Sequence, residues 1–227
     1  MQIARIELPE ILAEARSLGA QHGTMLVGTG VAIAAGYSLI DWLSLRAEDA
    51  GGLTLVSSIV GVVVTVFVQY VLTERLLADR RSPGQPAPQR RYGTLFVAQL
   101  ISGVAILLGA IALILPGIYL AGRWFTVAAQ VVEGSDGASD SLKASWEASG
   151  PSQLAFMLAT ILSILPLLPV IGIIYNATLG DTVEESLVTL VLTNVLSGVS
   201  SVLGWLLAAA AYRRAVPVHG QYDGVFA

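Results

Sequence analysis

The residue types that perform most enzyme chemistry are scarce in this chain of 227 residues. It has no cysteine, which removes disulfides, thiolate-bound zinc, iron–sulfur clusters and thiol nucleophiles together. Its two histidines, His22 and His219, stand near opposite ends, outside any H-E-x-x-H or other ligand spacing. No G-x-S-x-G elbow occurs, and no glycine-rich phosphate loop follows a strand. The residues therefore predict no catalytic, cofactor-binding or metal-ligating set. No acidic side chain lies deep inside an apolar run, which counts against a proton relay.

What remains is a cation in an unusual place. Arg123 falls inside the apolar stretch 118–132, together with Gln130. An arginine at the centre of a membrane helix costs roughly 2.5–3.5 kcal/mol on insertion scales, so it needs a compensating arrangement. One reading is structural: the side chain snorkels outward, or pairs with Asp41 or with Asp181, Glu184 and Glu185. The other is functional: a cation that binds a ligand or substrate in a cavity. If the helix runs outside to inside, side chains tilt toward its N-terminus, so Arg123 is expected to point toward the outer face. Gln69, Gln99, Gln130 and Asn194 either line a path or bond across helices, the second being the commoner use.

Six apolar stretches position these residues, at about 24–43, 53–73, 94–115, 118–132, 154–174 and 187–211. Five have the roughly 20 residues that a hydrocarbon core about 30 Å thick requires. The composition agrees, at 55% hydrophobic and 12% charged residues. Of the twelve Lys and Arg residues, Arg123 lies in a stretch and Arg46 in an outward gap. The other ten fall in alternate gaps and the two tails, which is the positive-inside pattern with both termini cytoplasmic. A net charge of −4 and the lack of a basic stripe exclude nucleic acid as a partner. The whole chain, 1–227, reads as one integral membrane domain, with the first span retained rather than cleaved as a signal.

The gaps have character of their own. Pro9 opens a short amphipathic helix with Ile11, Leu12, Ala15 and Leu18 on one face, ended by Gly19 or Gly23. Residues 74–92, with Pro83, Pro86 and Pro88, read as a flexible cytoplasmic loop. Its two Arg pairs are topogenic charges first, and contacts to anionic headgroups second. Residues 135–150 hold a second interfacial helix, with Leu142, Trp146, Ser145 and Ser149 on one face. The stretch 118–132 reaches only about 22 Å at 1.5 Å per residue. It is nonetheless expected to cross, because otherwise Arg213 and Arg214 would fall outside. Pro116-Gly117 is expected to form the outer turn before it, and Pro166 and Pro169 to break the fifth span. Gly30/Ala34, Ser57/Gly61/Thr65 and Ser197/Ser201 are expected packing faces.

The stretch from Leu115 to Gly150 resembles a known group, the bacterial YciC-like proteins and the membrane domain of glycerophosphoryl diester phosphodiesterases. Their pattern is a Pro-Gly turn, an Arg, an acidic-Gly turn and an Ala-Leu-x-x-Ser-Trp segment. Here it falls on Pro116, Gly117, Arg123, Glu133, Gly134, Leu142, Ser145 and Trp146, with Ser141 in place of the alanine. The resemblance implies a multi-pass protein of a bacterial cytoplasmic (inner) membrane. No phosphodiesterase domain follows, so that activity does not carry over. Together these readings predict an all-α, six-helix transmembrane bundle with two cytoplasmic amphipathic interfacial helices. The expected role is non-catalytic binding of membrane lipids or other membrane proteins in an envelope process. A small transporter or channel with a cavity near Arg123 is the alternative.

Overall fold

A computed structural model describes residues 5–44, 50–81, 89–134, 137–172 and 187–216. Arg46, Asp181, Glu184, Glu185 and His219, which the sequence singled out, lie outside the described residues. Among the described residues the protein is all-α. The helices are α1 (Leu8–Ser44), α2 (Ala50–Leu76), α3 (Tyr92–Ala112), α4 (Ile114–Arg123), α5 (Val127–Val132), α6 (Ala138–Ser149), α7 (Gln153–Ile164) and α8 (Leu187–Ala215). Five segments are long and apolar enough to cross a membrane: Leu8–Ser44, Ser58–Leu76, Tyr92–Ala112, Ala138–Gly172 and Val188–Ala215. Their outer faces expose Val27, Leu39, Val62 and Leu107, an apolar girdle that suits lipid and not water.

The amphipathic helix expected before the first span does not end at Gly19 or Gly23. It runs on as the start of α1, and the chain bends at His22 (φ −117°, ψ 16°). Its buried face is Ile11, Ala15 and Leu18, while Leu12 stays exposed. Neither glycine ends it; Gly19 lies against α8, where a Cβ would sit 3.9 Å from Leu206. The contact between α1 and α8 is the most extensive in the molecule. Gly30 and Ala34 form a packing face as expected, and their partner is Gly198. A Cβ on Gly198 would lie 2.9 Å from the Gly30 carbonyl oxygen. Gly61 and Thr65 of α2 receive Tyr37 of α1, whose hydroxyl lies 2.6 Å from Thr65 Oγ1. The amide residues bond across helices as expected, Gln99 to Gln69 and Asn194 to Asp41 (2.7 Å).

The fourth stretch departs furthest from expectation. The reversal after α3 is made by extended Leu113, and Pro116-Gly117 sits inside the first turn of α4. Proline is tolerated there because an N–H in the first turn has no intrahelical partner. Gly117 is required because a Cβ would meet the Cα of Ala110 at 2.8 Å. The stretch then breaks at 124–126 into α4 (10 residues) and α5 (6 residues), each too short to cross alone. End to end they run back along α3, from the Gly109–Gly117 contact to the packing of Val127 on Ala98. The chain thus returns to the end of the bundle from which α3 set out.

The fifth stretch breaks as its prolines predict, with a 3₁₀ turn at Leu165–Leu167. The second interfacial helix exists as α6, but an apolar stripe does not hold it. Ser141, Ser145 and Ser149 are fully buried beside Leu142 and Ala148, and Trp146 stands at the rim. Those small side chains let α6 pack into the bundle rather than lie on it.

Candidate functional site

Arg123 is the last residue of α4. One turn earlier on the same face is Tyr119, whose hydroxyl accepts a hydrogen bond from Arg123 Nε at 3.1 Å. Arg123 Nη1 donates to the Trp146 carbonyl at 3.1 Å. The guanidinium lies 4.6 Å from the Trp146 ring centroid and 5.3 Å from that of Tyr119. Both distances fall in the range of cation–π attraction. Trp124 completes the aromatic group, 5.8 Å from Trp146.

Serines of α6 fix the helix end that carries this arginine. The Arg123 carbonyl, one of the orphan acceptors at the C-terminus of α4, takes hydrogen bonds from Ser145 Oγ (3.0 Å) and Ser149 Oγ (3.2 Å). Ser145 Oγ also bonds Thr126 Oγ1 at 3.0 Å, tying down the break between α4 and α5. Two glycines leave the necessary room. A Cβ on Gly150 would lie 3.2 Å from Arg123 Nη1, and one on Gly122 would lie 2.9 Å from Met157 Cγ.

One expectation about Arg123 is corrected: it lies at the junction of α6 and α7, and Asp41 is bonded to Asn194 instead. The reason is where α4 stops. The arginine is a last-turn residue rather than a mid-helix one, and a cation is favoured among the free carbonyls of that end. Among the described residues no carboxylate pairs with it.

The residues singled out by pattern separate into three places. Arg123, Ser145 and Trp146 meet at this junction. Pro116 and Gly117 lie at the hairpin end, against Ala110. Gln130 is buried within α5, and Glu133 and Gly134 follow it. Gly134 has φ +109°, a left-handed conformation that makes glycine the natural choice for that turn. Burial pushes the Glu133 carboxyl above the usual range, more than the charges of Arg80 and Arg81 lower it.

A second constellation was not legible in the sequence. Arg213 of α8 bonds Glu14 of α1 at 2.7 Å and Asp79 at 2.9 Å, and Arg214 reaches Glu14 at 3.3 Å. Arg213 holds the Asp79 carboxyl below the ordinary carboxylate range. Arg90 pairs with Glu74 at 3.2 Å, and Arg81 approaches the same carboxylate at 4.0 Å. The Ile6 amide donates to Ser152 Oγ at 2.6 Å. Among the described residues, charges of the N-terminal segment, of the gap after α2 and of the end of α8 therefore gather at one end of the bundle. Only the charge bias of the gaps hinted at it, because the partners are far apart in sequence.

Among the described residues no three His, Asp or Glu side chains are grouped to hold a metal ion. No protein-family model, no curated protein and no solved structure matches the chain.

Proposed function

We propose that this protein is a non-catalytic membrane protein that binds lipids or partner proteins, with Arg123 as a point of contact. One observation carries the reading. Among the described residues Arg123 is held by aromatic rings and a carbonyl rather than by a carboxylate, so none of them neutralises its positive charge. Trp146 and Tyr119 beside it are the side chains that favour the headgroup layer. Anionic headgroups attract such a basic residue by about 1 kcal/mol. The grooves along α1 and α8, lined by Val27, Val31, Val195 and Val199, suit acyl chains. The bacterial inner membrane, cytoplasmic termini and kinship with YciC-like proteins belong to the same proposal, resting on the charge bias and the motif.

The test is extraction in native nanodiscs, with mass spectrometry of the lipids and proteins that co-purify. The Arg123→Ala variant is expected to lose a specific anionic lipid or partner that wild type retains, while still folding. Identical catalogues for the two proteins would sink the role of Arg123.

One observation favours a second reading, a small transporter. The helix breaks at 124–126 beside Arg123 and again at Leu165–Leu167, and discontinuous helices often mark substrate sites. It predicts that cysteines at Ala121 and Phe125 react with water-soluble reagents. Resistance from both sides of the membrane removes its support.

A further inference from the structure

Arg123 has more hydrogen-bonding capacity than its protein partners use. A guanidinium carries five N–H donors in one plane and in fixed directions. Nε gives its single N–H to the Tyr119 hydroxyl, and Nη1 gives one of its own to the Trp146 carbonyl. Nη2 has no acceptor among the described residues, and it is not one of the buried atoms left without a partner, so it opens to the surface. The rings that hold the cation open there too. Tyr119 and Trp146 are each 36% exposed and meet edge to face, 6.0 Å apart.

What continues from this cation is apolar. Leu115, Tyr119 and Arg123 follow one another at four-residue spacing, so they share one face of α4. Leu115 is exposed at the far end of that face, about 12 Å from Arg123 at 1.5 Å of rise per residue. Helix α7 lies alongside. Gln153 Nε2 donates to the Tyr119 carbonyl at 3.2 Å, and Met157 closes on Gly122. The residues next to those two on α7, Leu154 and Leu158, are exposed. The face therefore runs from a cation with free donors, past a half-exposed ring, to bare leucines. That order matches a molecule with an anionic head and a hydrocarbon chain. A soluble anion would use the cation alone and leave the leucines unmatched. The head is constrained further. Arg123 already occupies the Trp146 and Tyr119 rings, at 4.6 and 5.3 Å, so a quaternary ammonium finds no free ring and meets a like charge. Lys143 and Glu147, both exposed on α6 on either side of Trp146, carry opposite charges and leave that balance unchanged.

We propose that Arg123 binds the phosphate of a membrane phospholipid whose acyl chain lies along Tyr119 and Leu115 of α4, beside Leu154 and Leu158 of α7. An anionic headgroup is preferred to one bearing choline. This inference rests on the binding reading above and names the ligand class of the same site.

The test uses the full-length protein in a neutral maltoside detergent at constant ionic strength. Its melting temperature is followed against short-chain phosphatidylglycerol, short-chain phosphatidylcholine or inorganic phosphate, because a ligand of the folded state raises it by mass action. Wild type is expected to bind phosphatidylglycerol about fivefold or more tighter than phosphatidylcholine. Arg123→Gln is expected to abolish that preference and weaken phosphatidylglycerol about tenfold. Arg123→Lys should weaken it about threefold and keep part of the preference, since lysine retains the charge and loses the planar fork. Leu115→Ala is expected to weaken both lipids alike, about twofold to threefold, with the preference intact. Equal binding of the two lipids by wild type overturns the site, as does an unchanged preference in Arg123→Gln. Inorganic phosphate acting at the same concentrations as phosphatidylglycerol overturns the lipid assignment in favour of a free phosphate. If Arg123→Gln does not fold, wild-type affinities in both Arg123→Lys and Leu115→Ala overturn the site. Should Arg123→Ala lose a partner protein from nanodiscs while the lipid preference is independent of Arg123, this inference fails and the broader reading stands. Should neither change, both fail.

Discussion

At the tip of the α3–α4 hairpin, Ile111, Leu113 and Ile114 are 69–72% exposed, whereas at the opposite end of the bundle Leu76, Leu77 and Leu95 are fully buried. The tip packs backbone on backbone, Gly117 against Ala110, and leaves its apolar side chains to the surroundings. The charged end instead closes over its leucines with Arg213, Glu14, Asp79, Arg90 and Glu74. The difference lies in how each end is held: the tip by close backbone approach, the other end by a buried core beneath paired charges.

The comparison breaks most decisively if the two ends face the same compartment. Because the chain has no native cysteine, Leu113→Cys and Gln89→Cys report the two ends separately. Under the proposed orientation, a membrane-impermeant reagent added to whole cells labels Leu113→Cys and leaves Gln89→Cys untouched. Labelling of both, or the reverse, ends the model of opposite ends. Next in size is Arg213→Ala, which strips Glu14 and Asp79 of their shared partner. A buried pair broken this way costs about 3–5 kcal/mol. Both Arg213 and Glu14 keep 17% exposure, and Arg214 still reaches Glu14, so we expect about 2–3 kcal/mol. Thermal unfolding in detergent measures it; an unchanged melting temperature would show that the charged end is held by its leucines alone.

At the tip, Gly117→Ala forces a methyl group against the Ala110 backbone and is expected to cost about 1–3 kcal/mol, without altering ion pairs at the far end. A variant as stable as wild type would mean that the hairpin separates freely. The smallest effect is that of pH. Arg213 lowers the Asp79 carboxyl in the folded protein. Its contribution is therefore fully present above the unfolded-state value, about 3.9, and is lost as pH falls through the lower folded-state value. Melting temperature measured from neutral pH down to about 3 should fall more in wild type than in Asp79→Asn below about pH 4. Parallel curves would remove Asp79 from the network.

Much of the architecture was legible in the residues. The apolar stretches map onto helices, the break at Leu165–Leu167 follows from Pro166 and Pro169, and α6 begins and ends near its expected limits. These are local consequences of hydropathy and backbone stereochemistry. The misreadings share a different cause. Pro116-Gly117 looked like a turn because that pair usually is one, yet the first turn of a helix accepts proline equally well. Arg123 looked mid-helical because the end of α4 and its break at 124–126 leave no mark in composition. Gly198 went unnoticed as the partner of Gly30, since a glycine declares its neighbour only when two helices meet.

By itself the sequence determined that this is a helical chain made for apolar surroundings, with its charges set in gaps, because transfer free energy and helix stereochemistry act residue by residue. Tertiary structure alone decided which charges meet. Arg213 finds Glu14, Arg123 finds the carbonyl and ring of Trp146, and Arg90 finds Glu74. Electrostatic and hydrogen-bond energies depend on distance in space, and the helix packing sets that distance across separations that the chain order does not encode.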